Sequence, residues 1–195
     1  MSEEEKFEKE RKTILKSLPK HIKDMFGIMG FCKAEEDDDD SDDDQAAKQA
    51  STTPEFVPCL VLSPYDVPPR PVRDVYWHNL YMDKKRKKKL ASLEYLVYHY
   101  GANDPDDCYS FIAHEDFTTY DDGISKGYGK LPAVLQSKVD NATSLTEQEQ
   151  QRVRGIEEMV EDAAKEPADR KRGNYPFLER HEEKKAPPAK RQKKR

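Results

Sequence analysis

Between residues 3 and 26 the apolar positions are Phe7, Ile14, Leu15, Leu18, Ile22, Met25 and Phe26, a three-or-four spacing that predicts an amphipathic helix. Pro19 divides it, falling in the first turn of the second piece, where a missing N–H leaves no helical bond unmade. Gly27 and Gly30 bracket the apolar pairs Ile28-Met29 and Phe31-Cys32, which predict a short strand. From 35 to 53 no apolar residue larger than Ala occurs, so no core can be built there and the segment reads as a disordered insertion.

Order returns at Phe56 to Leu62, a β-rich run ended by Ser63-Pro64; the prolines at 64, 68, 69 and 71 exclude a central strand beyond it. Pro71 predicts the opening of a helix with Val72, Val75, Tyr76 and Leu80 on its inner face and Lys84 to Lys89 in its last turns. Cations there suit the negative end of the helix dipole. Leu96 to Tyr100 and Tyr109 to Ile112 predict two more strands, separated by Gly101 and an acidic turn. A short helix follows from near Pro132. A longer one begins at Ser144, where Ser144 and Glu147 have the spacing of a capping box. Its inner face is Val153, Ile156, Val160 and Ala163, and Pro167 ends it.

Composition limits how much of the chain this core can include. Of 195 residues, 35% are hydrophobic and 37% charged, which predicts one small domain with disordered attachments. The net charge of -5 conceals segregation. Glu35 to Asp44 is acidic except at Ser41, Lys84 to Lys89 is wholly basic, and the charges from Lys184 to Arg195 are all basic. Separate blocks of opposite sign point to a polyanionic ligand, to competition between the blocks, or to both.

Chemistry of other kinds finds little support in the residues. Cys32, Cys59 and Cys108 are odd in number, widely spaced and without a CxxC pair, which argues against a disulfide framework or structural zinc and for a reducing compartment. The five histidines form no HxxxH or HxH pair, and no glycine-rich phosphate loop occurs. We expect no enzyme, no cofactor, no metal and no membrane segment.

The order of elements, with "EFVPCLVLSP", "VYHYG" and "SFIAHEDFTTYDDG" in sequence, resembles a PWWP domain. The resemblance covers residues 26–162 and is strongest from Leu96 to Asp122; in the name-giving motif, at Glu55-Phe56-Val57-Pro58, only the final proline is literal. It implies an α+β fold: a small five-stranded PWWP/Tudor-like β-barrel followed by a helical bundle. Around it lie an N-terminal helical segment (1–25), the disordered acidic insertion (35–53) and a disordered basic tail (163–195).

The family pairs a basic surface for DNA phosphates with an aromatic cage for methylated lysine. Carried over here, the first implies nucleic-acid binding by Lys84, Lys85, Arg86, Lys87, Lys88 and Lys89. Such contacts have steep salt dependence and little sequence preference. The second implies a histone pocket at Phe56, Val57 and Tyr100, although Val57 stands where the family places a ring, and packing is the other role open to Phe56 and Tyr100. The basic block also fits a nuclear-import signal, as does the tail Lys190, Arg191, Lys193, Lys194 and Arg195. The expected function is a nuclear, chromatin-associated module docking on nucleosomal DNA, with DNA ahead of RNA and a weak histone contact. The alternative is a protein-interaction scaffold in a nuclear or nucleolar, RNA-associated assembly.

Overall fold

A computed structural model describes residues 3–34, 55–66, 72–103 and 108–170. The acidic insertion and the import tail lie outside them. The elements in chain order are α1 (Glu3–Ser17), α2 (Lys20–Lys23), β1 (Met29–Lys33), β2 (Phe56–Val61), α3 (His78–Arg86), β3 (Tyr95–His99), β4 (Tyr109–Ile112), β5 (Phe117–Thr119), α4 (Tyr120–Ser125), α5 (Ala133–Asp140) and α6 (Glu147–Ala163). The fold is α+β, with the strands in one open antiparallel sheet ordered β4-β3-β2-β1-β5.

That order forces the sheet to curl. β4 and β5 are opposite edges, yet only residues 113–116 join them, and His114–Asp116 is a compact 3-10 turn. Five flat strands would set the edges about 19 Å apart, whereas five extended residue steps reach about 18 Å at most and the 3-10 turn shortens them further. The curl is seen directly where Tyr95 of β3 meets Phe117 of β5, ring centroids 5.9 Å apart. Gly30 belongs to the same device, because a Cβ there would stand 2.6 Å from the Phe117 ring.

Register assigns the two faces. Cys32 lies opposite Val57 and Cys59 opposite His99, so these four side chains share the inner face of the curl. Phe31, Leu60 and Tyr98 point the other way and are covered by helices. α4 presses Gly123 onto the Phe31 ring, and the Tyr98 hydroxyl donates to Glu158 Oε2 of α6 at 3.2 Å. The N-terminal helices join the same core through buried Ile14, Leu18 and Ile22. Phe7 of α1 meets Tyr65, Tyr65 meets Trp77, and Trp77 stacks on Tyr81 at 5.2 Å.

Local readings differ from the sequence pattern in four places. Pro19 is the N-cap of α2, one position ahead of its first turn. Residues 72–77 form a wide π-type turn before α3, which shifts the helical phase: Trp77 and Tyr81 are buried while Val75 and Tyr76 face solvent. The capping box of α6 is Thr146 with Glu149, two residues beyond the predicted pair. Its buried face is Gly155, Met159 and Asp162, with Val160 exposed. Glycine and aspartate occupy that stripe because the helix touches sheet backbone at one and hydrogen-bonds at the other, which an apolar pattern does not reveal.

Candidate functional site

The basic run Lys84 to Lys89 forms the end of α3 and the turn beyond it. Lys88 takes φ of 57°, a left-handed conformation that stops the helix and redirects the chain toward the 3-10 turn Leu90–Ser92. The six cations are not equivalent. Lys84 Nζ donates to Ser92 O at 2.9 Å and to Glu94 Oε1 at 3.2 Å, holding the turn together. Arg86 and Lys87 both pair with Asp83, whose carboxyl they hold below its ordinary range, Lys87 contributing first. Lys85 lies 5.6 Å from the Tyr81 ring centroid. Lys85, Lys88 and Lys89 are exposed and make no ion pair with the described residues.

Val57 and Tyr100 come together at the far end of β3. With Pro58, His99, Leu135 and Arg152 they line an open groove of about 530 Å³ between the sheet and helices α5 and α6. Glu55 and Arg152, both in its lining, form an ion pair. Phe56 is not among its walls; it points to the opposite face of the sheet and stacks on Tyr128, rings 4.1 Å apart and nearly parallel. Tyr100 is buried, and its hydroxyl donates to the buried Asp162 Oδ2 at 2.9 Å. Burial first, then the Asp162 charge, pushes that hydroxyl well above the usual tyrosine range. The three residues expected to form a histone pocket therefore divide: two border the groove and one packs elsewhere. Aliphatic Val57, Pro58 and Leu135 share the walls with the polar Glu55, Glu149 and Gln151.

Behind the groove the inner face carries a polar row. Cys32 Sγ lies 3.8 Å from His99 Nδ1, and His99 Nε2 lies 2.7 Å from Ser110 Oγ. A hydrogen bond from Cys59, and then His99, draws the Cys32 thiol down to about 6 against the opposing effect of burial. Cys59 is pushed far up by its own burial. Cys32, Cys59 and Cys108 are free thiols with no exposed surface, and among the described residues no three His, Cys, Asp or Glu side chains are grouped to hold a metal ion. No described helix is long and apolar enough to cross a membrane.

Sequence reasoning did not find the α5 and α6 walls of the groove, because their residues are 75 to 95 positions from β2 in no fixed pattern, roughly as for any tertiary contact. It also did not find that His21 of α2 reaches Ala91 O at 3.1 Å, bringing α2 beside the basic turn. Comparison with protein-family models, with curated proteins and with solved structures finds no match.

Proposed function

We propose that the chain is a non-enzymatic nuclear module that docks on duplex nucleic acid, nucleosomal DNA first, through the rim carrying Lys84 to Lys89. The curl of the sheet and its β4-β3-β2-β1-β5 order support a PWWP/Tudor-like barrel as the finer description of the fold. The observation that carries the function is the exposed turn at Lys88 and Lys89, whose charges no described carboxylate neutralises. Cations in such a position are available to phosphate, and each contact releases condensed counterions. A weak histone contact, if one accompanies docking, falls at the groove beside Tyr100. Tyr100 is the one tyrosine, phenylalanine or tryptophan ring among the residues lining it, too few for an aromatic cage, and the aliphatic Val57, Pro58 and Leu135 suit an apolar side chain.

The test is a salt titration of binding to two duplexes of different sequence. Replacing Lys85, Lys88 and Lys89 with Ala weakens both equally and flattens the slope of log K against log salt by about 0.9 per lost contact. Lys84→Ala is a poorer probe, because that side chain braces Ser92 and Glu94. An unchanged slope in the triple variant refutes nucleic-acid docking through the rim. The groove would then favour the second reading, a scaffold that holds a segment of a partner protein.

A further inference from the structure

We infer that the duplex-binding surface is composite: α2 supplies its second half through Lys20 and Lys23, fixed beside Lys88 and Lys89 as one preformed phosphate-binding rim. This rests on the docking reading above and names a surface outside the basic run.

Two contacts hold the N-terminal helices to the basic turn, one on each side of it. At the end of α1 the Ser17 hydroxyl bonds the Tyr81 hydroxyl at 2.7 Å, one helical turn before Lys85. On α2, His21 Nε2 lies 3.1 Å from Ala91 O, two residues after Lys89. Because a carbonyl only accepts, His21 carries a proton on Nε2 to make this bond. His114 repeats the arrangement with Leu93 O at 2.8 Å, and the two imidazoles meet edge to face at 5.7 Å. His114 in turn stacks on Tyr95 at 4.2 Å. Beneath them Ile22 is buried in the core. The turn and α2 are therefore joined through one direct carbonyl bond, with a ring ladder beside it and an apolar anchor beneath.

This junction sets cations on both sides of the His21–Ala91 contact. From Ala91 to Lys89 is two residues and from His21 to Lys23 is two, about 7 Å of chain on each side of a contact that itself spans about 10 Å between Cα atoms, which places the two groups of backbone atoms within about 24 Å of each other. Long lysine side chains on both sides can then reach several phosphates of one duplex, whose strand charges recur about every 3.4 Å. Lys20 has a side chain 86% exposed and pairs with Asp24 at 2.7 Å, an exposed pair that phosphate can replace. Lys23 makes no ion pair with the described residues. Carboxylates are present at the margin, in Asp24, Asp83, Glu94 and Glu115, and three of them are engaged by Lys20, Arg86, Lys87 or Lys84. A rim already held in place loses little conformational freedom on binding, which favours a regular polyanion over a ligand that needs a moulded pocket.

The experiment compares the full chain with Lys20→Ala/Lys23→Ala, with Lys88→Ala/Lys89→Ala and with the fourfold combination, by salt titration of fluorescence anisotropy on a 20-base-pair duplex. Each double variant flattens the salt slope by about 0.9 per lost contact, and the fourfold variant shows the two losses together. A parental slope in Lys20→Ala/Lys23→Ala, with a flattened one in Lys88→Ala/Lys89→Ala, overturns the composite rim and leaves docking intact. Parental slopes in both overturn docking itself. His21→Ala keeps every lysine but removes the bond to Ala91, and we expect severalfold weaker binding; unchanged affinity would mean that α2 contributes only diffuse charge and that no single surface is built.

Discussion

Gly155 fixes how closely α6 lies on the sheet, and Gly155→Ala measures that approach. A Cβ added there would stand 2.7 Å from Tyr100 O and 3.1 Å from Pro58 Cγ. The first contact is with backbone, so no rotamer change relieves it; α6 must withdraw by roughly half an ångström or more, as overpacked cores do. That movement stretches the bonds from Tyr98 to Glu158 and from Tyr100 to Asp162, both anchored on the same helix. Overpacking costs about 1–3 kcal/mol, and each weakened bond to a charged acceptor adds part of the ~1.5–3 kcal/mol such bonds contribute. Against this, alanine is favoured over glycine within a helix by about 1 kcal/mol. The expected net loss is about 1–3 kcal/mol, or roughly 2–12 °C in Tm for a chain of this size. Urea unfolding followed by far-UV circular dichroism, with thermal melting beside it, gives both quantities. If Gly155→Ala is as stable as the parent or more so, the helix propensity has gone unopposed. The close approach that shapes the groove would then be absent.

Three further predictions concern the same region. Thr146→Ala removes the side-chain acceptor of the α6 capping box, whose Glu149 N–H bond measures 3.2 Å, and lowers stability by about 1 kcal/mol in urea unfolding; no change would place the helix start elsewhere. Tyr100→Phe deletes the hydroxyl that donates to Asp162 and costs about 1.5–3 kcal/mol with an unchanged m-value, whereas a loss below ~0.5 kcal/mol would show that the buried carboxylate does not depend on it. Cys32 binds its proton less tightly when folded, titrating near 6, than an unfolded thiol near 8.5 does, so between those values the unfolded state holds more protons and stability rises with pH. The slope is at most about 1.4 kcal/mol per pH unit, the contribution is lost as pH falls through 6, and Cys32→Ser flattens it; an equal slope in that variant would refute the assignment.

The sheet was legible in the sequence because its strands are short β-rich runs bounded by glycine and proline. Ile28 to Cys32, Phe56 to Leu62, Leu96 to Tyr100 and Tyr109 to Ile112 each overlap an observed strand. Except at α4 (Tyr120–Ser125), which was not predicted, helix existence was equally clear, but helix phase was not. At α3 a wide turn over residues 72–77 displaced the buried stripe from Val75 and Tyr76 to Trp77 and Tyr81. At α6 the stripe contains Gly155 and Asp162, chosen for backbone clearance and for a bond to Tyr100, neither of which registers as hydrophobicity. The candidate pocket depended on tertiary contacts as well as position: Phe56 and Val57 are adjacent, yet Phe56 stacks on Tyr128 while Val57 lines the groove. Position alone was enough for the basic run, since six consecutive cations cannot all be buried.

The rim and the groove occupy opposite ends of β3, and this separation bears on how two weak contacts could combine. Leu93 and Tyr100 are seven residues apart along an extended segment, about 23 Å, well beyond the ~8 Å over which exposed charges are felt at physiological salt. Changes at one end should then leave the other unaltered, and paired variants should add. On the proposed reading, a nucleosome offers phosphate and a protein tail on one particle, so the second contact forms at a high effective concentration once the first is made. We therefore expect tighter binding to nucleosomes than to the same DNA alone, with a similar salt slope, because the added contact at the groove is with protein and neutralises no further phosphate. Native gel titration of the two substrates across salt measures this. Equal affinity would mean that the groove takes no part in nucleosome docking and would assign it instead to a partner protein.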